Sequence, residues 1–184
     1  MNDRINKFEN PVRITELNPK NTLMKAGFKD TMVLCDIGAG SGIFSFPAAQ
    51  ITSSDIFALE ISDDMIEVLE NKKSENNTQN IIIRKVESDD LPLDDHICDM
   101  TIMVTVLHEI DDKNAMIKEI KRVLKENGKL VVIEFHKDKT PMGPPIDHRI
   151  SQELVLELCN DNGFKTTEKY VLGDNFYCLV FESI

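Results

Sequence analysis

The stretch from Met32 to Ala49 constrains the fold more than any other part of this chain. Met32-Val33-Leu34-Cys35 is an apolar run of strand length. Asp36 closes it, and Gly38, Gly40 and Gly42 follow at alternate positions. From Ile43 the sequence reads as a helix reaching about Ile51, with Pro47 near its first turn, where amides lack intrahelical partners anyway. Glycine at such a turn accepts positive φ and leaves the main chain bare for a ligand. The amides of the helix start point into the same crevice. A strand, a glycine turn and a helix in this order predict a cradle for a nucleotide-like cofactor.

From residue 31 onward, strand and helix patterns alternate. Strands are predicted at 32–37, 56–61, 81–86, 98–104 and 129–136. Ser62 is placed to cap a helix with Met65, Ile66, Val68 and Leu69 on one face. A second helix is predicted over 113–125, with Gly128 just beyond its end, and a third over 151–162, stopped by Gly163. Two last strands, 165–172 and 175–181, are joined by Gly173-Asp174, a connection short enough to make them antiparallel. The earlier strands are too continuously apolar to have a wet face, so the sheet should be mostly parallel and covered on both sides. The predicted class is α/β, a doubly wound sheet of seven strands with an antiparallel last strand. Residues 31–184 form one domain in this reading. Residues 1–30 are a loose arm with one short helix from Pro19 to about Ala26.

Charge and composition exclude several functions. The net charge of −11 argues against a nucleic-acid surface, which needs clustered Lys and Arg. No apolar run approaches the roughly 18 residues of a membrane span, and the first residues lack the apolar core of a secretion signal. Cys35, Cys98, Cys159 and Cys178 show no metal-ligand spacing and read as buried reduced thiols, which suits a cytoplasmic setting. The four histidines are dispersed, so no metal site is expected.

The spacing of the turn bears on the cofactor. A dinucleotide fingerprint needs its third glycine at position 43, where this chain has Ile43. Glu60 ends the second strand, where a carboxylate can accept from ribose hydroxyls. Glu87-Ser88 follow the third strand, where an acid can accept from an exocyclic amine.

Taken together, Asp36 to Gly42, Glu60, Glu87 to Leu93 and Asp99 to Leu107 resemble the class I S-adenosylmethionine-dependent methyltransferases, nearest to the small-molecule enzymes of ubiquinone and menaquinone biosynthesis. The resemblance spans about residues 30 to 136. It implies a Rossmann-like methyltransferase fold, S-adenosylmethionine as cofactor and S-adenosylhomocysteine as product. It places Gly38, Ala39 and Gly40 beside the methionine and ribose, and Asp36 near the cofactor's amino group. By the same resemblance Glu60 holds the ribose diol, Ile61 packs on adenine, Glu87 and the Ser88 amide read the adenine edge, and Thr105 lines the methyl-donor end. The family more often has Asp where this chain has Glu87.

On the acceptor side the candidate catalytic residues are His108 and His148, with Glu109, His136 and Arg149 as further candidates for acceptor contact. Each has a plainer reading as a loop residue. The expected partner is a small-molecule acceptor, with a homodimer left open. A non-enzymatic binder of the same cofactor and a nucleotide-dependent oxidoreductase are the rival readings.

Overall fold

Alternate residues of the central strands enter different cores. Leu34, Ile56, Ala58, Met100 and Ile102 pack on one side of the sheet, and Cys35, Phe57, Leu59 and Met103 on the other. This two-sided burial is why the strands read as continuous apolar runs. Each fully buried Leu, Ile, Val or Phe side chain contributes roughly 1.5–3 kcal/mol relative to exposure.

The computed structural model describes residues 8–87 and 90–184. Its strands are β1 (Leu34–Ile37), β2 (Ile56–Glu60), β3 (Ile81–Lys85), β4 (Cys98–Val104), β5 (Leu124–Phe135), β6 (Phe164–Leu172) and β7 (Phe176–Ser183). They form one sheet in the order β3-β2-β1-β4-β5-β7-β6. Pairing is parallel from β3 to β5, and β7 alone runs against its neighbours β5 and β6. The expected doubly wound sheet with a reversed last strand is therefore the observed one.

The helices are α1 (Pro11–Leu17), α2 (Pro19–Lys25), α3 (Ser45–Ala49), α4 (Asp63–Glu75), α5 (Lys113–Val123) and α6 (Gln152–Asp161). Met116, Ile117 and Ile120 of α5 and Val155 and Cys159 of α6 cover one face. Leu23 of α2, Ala48 of α3 and Leu69 of α4 cover the other.

Local details depart from the sequence reading at several places. Residues 11–17 form a helix where a loose arm was expected. Asn10 caps it by accepting from the Val12 and Arg13 amides, Pro11 opens it, and Asn18 in the left-handed region ends it and begins α2. Two turns are too few to show a periodic apolar face, so its caps are its only sequence signal. The helix after the glycines is short, Ser45–Ala49. Helix α5 ends at Val123, not at residue 125, because buried Leu124 turns extended and pairs with Cys98. Residues 125–128 then bulge out before Lys129 pairs with Met100. Ser62 occupies the N-cap of α4 without a side-chain bond. Among the described residues, no helix is long and apolar enough to cross a membrane.

Candidate active site

The carboxyl ends of β1, β2 and β4 meet around a cavity of about 380 Å³. The glycine turn forms its floor. Gly38 has φ +69°, and a Cβ there would lie 2.5 Å from Cγ2 of Val106, so only glycine permits this approach of the β1 and β4 ends. The amides of Gly38 and Ala39 both donate to the Leu59 carbonyl, which ties the turn to β2.

Glu60 completes the floor. Its Oε2 accepts from the Gly40 amide at 2.8 Å, and its Oε1 from the amides of Ile61 and Ser62 at 2.9 and 3.0 Å. Three main-chain donors thus hold a carboxylate that is 7% exposed at the cavity wall. Behind it, buried Asp36 accepts from Ser45 Oγ at 2.6 Å. Burial pushes the Asp36 carboxyl up to about 6; the Ser45 hydrogen bond opposes this and the Glu60 charge adds to it.

At the end of β4, Thr105 has φ +56°, an uncommon conformation for a β-branched residue. Its amide donates to the Ile133 carbonyl of β5 at 2.7 Å, and its Oγ1 accepts from Arg13 Nη2 at 2.9 Å. Arg13 comes from α1 and lines the same cavity. No feature of the sequence around Arg13 pointed to this role.

A second cavity, of about 490 Å³, opens beside the first and is lined by His108, Glu109, Lys113, Pro144, His148 and Ile150, among others. Glu109 lines both. His108 sits on a short 3₁₀ turn, Leu107–Glu109. Its Nδ1 lies 2.8 Å from Oε2 of Glu134, and its amide donates to Oε1 of the same carboxylate at 3.1 Å. Glu134 is on β5 and its side chain is 1% exposed. The Glu134 hydrogen bond raises the His108 pKa against the opposing effect of burial. Sequence reasoning missed Glu134; its signal was a lone acid in the apolar run Leu130 to Phe135.

Most sequence-nominated residues gather here. Asp36, Gly38, Ala39, Gly40, Glu60, Ile61 and Thr105 all line the first cavity, and His108 and His148 the second. Glu87 lies past the end of β3, exposed and outside both linings. Ser88 lies outside the described residues. Arg149 is not free for an acceptor. It is buried, and it donates to the carbonyls of His136, Asp138, Met142 and Pro144 and to Thr140 Oγ1, clasping the loop from 136 to 144. His136 sits with its ring 5.9 Å from that of Tyr177, away from both cavities. Among the described residues, no cluster of three or more His, Cys, Asp or Glu is arranged to hold a metal.

The strand order, with β7 reversed, and the glycine turn at the sheet's carboxyl edge define the fold of class I S-adenosylmethionine-dependent methyltransferases. The family model described as a methyltransferase domain matches residues 28–175, and the chain belongs to that family. S-adenosylmethionine is the cofactor the family implies. A ubiquinone/menaquinone biosynthesis C-methyltransferase from Shewanella woodyi is 29% identical over 121 residues, covering 64% of this chain and 48% of that protein. A methyltransferase-like protein from Schizosaccharomyces pombe is 30% identical over 132 residues, covering 72% of this chain and 48% of its own length. The chain spans about half the length of these curated relatives. A solved S-adenosylmethionine-dependent methyltransferase from Aquifex aeolicus shares the fold, with TM-score 0.93 at 23% identity over 99% of this chain and 98% of that one.

Proposed function

We propose that this chain transfers a methyl group from S-adenosylmethionine to a small-molecule acceptor. The observation that carries the reading is the 2.8 Å bond from the Gly40 amide to Glu60. It joins bare main chain and a diol-binding acid on the wall of one cavity, with exposed Ile61 beside them as an apolar shelf. These features fit an adenosyl group: Glu60 takes the ribose diol, the Gly38–Gly40 main chain lies along the ribose and methionine, and Ile61 packs on adenine. Glu87, although outside the cavity lining, is assigned the outer adenine edge by the family resemblance. Asp36 and Glu60 suit a cationic ligand and disfavour a pyrophosphate.

When bound, S-adenosylmethionine supplies a methyl carbon activated by its sulfonium. The chain contributes alignment, bringing nucleophile and methyl into line at about 3 Å. His108 contributes a proton acceptor: with its Nδ1 proton donated to Glu134, the tautomer leaves Nε2 basic, 3.7 Å from Glu109 Oε1, and both residues line the second cavity. His148, exposed on the rim of that cavity, is assigned acceptor contact. The modest size of the second cavity supports a small acceptor, as does the quinone-biosynthesis role named for the Shewanella relative. The acidic balance supports an enzyme that binds no nucleic acid, and four buried free cysteines suit a cytoplasmic setting.

The test is thermal unfolding with S-adenosylmethionine, S-adenosylhomocysteine and NAD in separate runs. A ligand present at about 100 times its Kd stabilises by about 2.7 kcal/mol. The first two should raise the melting temperature and NAD should not. Glu60→Ala should remove most of the response. A shift with NAD alone overturns the proposal, and cofactor binding without turnover on a broad acceptor panel would reduce it to a binding function.

A further inference from the structure

Asn175 joins the walls of the two cavities. It sits in the turn between β6 and β7, fully buried, and both polar atoms of its side chain leave that turn. Its Nδ2 donates to Glu16 Oε2 of α1 at 2.7 Å, and its Oδ1 accepts from the Met142 amide at 2.9 Å. Its main-chain carbonyl accepts from the His136 amide at 3.0 Å, so one residue holds both ends of the stretch from 136 to 142. Glu16 is committed as well. Its Oε1 accepts from the Asp174 amide at 3.2 Å, and it packs so closely on Gly173, at φ +61°, that a Cβ there would run into it. A buried amide whose donor and acceptor go to distant elements fixes those elements relative to each other, because either bond left unmade is costly.

The segment around Glu16 belongs to the cofactor side. Phe8 and Arg13 line the glycine cavity. The Glu9–Lys72 ion pair fastens the start of this segment to α4, and Lys72 also donates to the Ser41 carbonyl of the glycine turn at 3.0 Å. The segment around Met142 belongs to the acceptor side. The Met142 carbonyl accepts from Arg149 Nη2 at 3.3 Å, and Arg149 and Pro144 line the second cavity. A ligand in the first cavity touches the α1 segment and so favours its seated position. We infer that Asn175 is a positioning residue for methyl transfer: through it, the seat of α1 beside the cofactor sets the loop that walls the acceptor cavity. The acceptor wall is thereby steadied once the cofactor is in place. The inference rests on the cofactor reading above.

Amide exchange of the full chain, with and without S-adenosylhomocysteine, tests this through a bond-for-bond swap. Asn175→Asp sets two carboxylates face to face, and Glu16→Gln sets two amide donors face to face. In the double variant the side-chain amide at position 16 donates to the carboxylate at position 175, whose other oxygen still accepts from Met142. Every bond is then remade, with one reversed. In wild type, S-adenosylhomocysteine should slow exchange at residues 137–144 by about fivefold or more. Each single variant should lose that slowing and the double variant recover it, while unliganded exchange in β4 and α5 stays that of wild type. The inference is overturned if wild-type residues 137–144 ignore the bound ligand, if the single variants keep the slowing, or if the double variant does no better than Asn175→Asp. A loss accompanied by faster exchange throughout β4 and α5 is general loosening and also overturns it. Should Asn175→Asp not fold, Glu16→Gln decides alone: loss of the slowing supports the inference and retention overturns it. If calorimetry shows that wild type does not bind S-adenosylhomocysteine, the cofactor reading fails by itself. The unliganded chain then decides Asn175: Glu16→Gln must speed exchange at residues 137–144 and the swap must reverse it, and unchanged exchange overturns the inference.

Discussion

Glu134 grips His108 at two points, through the ring Nδ1 at 2.8 Å and through the backbone amide at 3.1 Å. The residues are 26 positions apart and come from different elements, the end of β5 and the turn after β4. One buried carboxylate therefore sets both the place and the tautomer of the ring.

This pair should show in pH profiles. The His108 pKa is raised in the folded chain, chiefly by the Glu134 hydrogen bond. The stability it contributes is present below the ordinary histidine value, about 6.5, and is lost as pH rises through the higher folded value. As a base, His108 must be neutral, so turnover should rise with pH through that folded value. Glu134→Gln should move the rise to lower pH, and His108→Asn should remove it. Rates measured from pH 5.5 to 9 check this; an unmoved profile in Glu134→Gln would take His108 out of the proton path.

Asp36 should contribute with the opposite sign to a usual carboxylate. Its pKa is raised by burial from 3.8 to about 6, so the folded chain binds the extra proton between those values. Stability is lost as pH climbs through that window, by about 3 kcal/mol for a shift of this size. Asp36→Asn keeps an acceptor for Ser45 and removes the buried charge. Its stability relative to wild type should grow between pH 4 and pH 6.5 in urea unfolding, while its affinity for S-adenosylhomocysteine falls.

Gly38→Ala should be costly for two separable reasons. The backbone sits at φ +69°, and the new Cβ would meet Val106 at 2.5 Å. Left-handed strain costs about 1–2 kcal/mol and overpacking about 1–3 kcal/mol. Adding Val106→Ala should recover the steric part and leave the strain. Urea unfolding of both single variants and the double variant measures the split.

Arg149 should matter to the acceptor and little to the cofactor. It binds four carbonyls and a hydroxyl of the 136–144 loop and borders only the second cavity. Arg149→Ala should destabilise by about 2–4 kcal/mol, given several charge-assisted bonds to a buried group. Amide exchange in residues 137–144 should speed up, with the Kd for S-adenosylhomocysteine unchanged.

The sequence by itself determined the sheet, its parallel core and the glycine cradle. These follow from local requirements: two-sided burial makes strands continuously apolar, and a tight turn under a ligand needs glycine at positive φ. Glu60 was legible for the same reason, since a strand end beside that turn leaves its side chain little choice of neighbour. Only the tertiary structure decided Arg13, Glu134 and Arg149. Thr105 lies 92 positions from Arg13, and His108 lies 26 from Glu134. Arg149 proved a loop clasp because five oxygens of one loop converge on it in space. A buried polar side chain takes its meaning from the partner that satisfies it, and packing brings that partner from a distant part of the chain, where local pattern carries no signal.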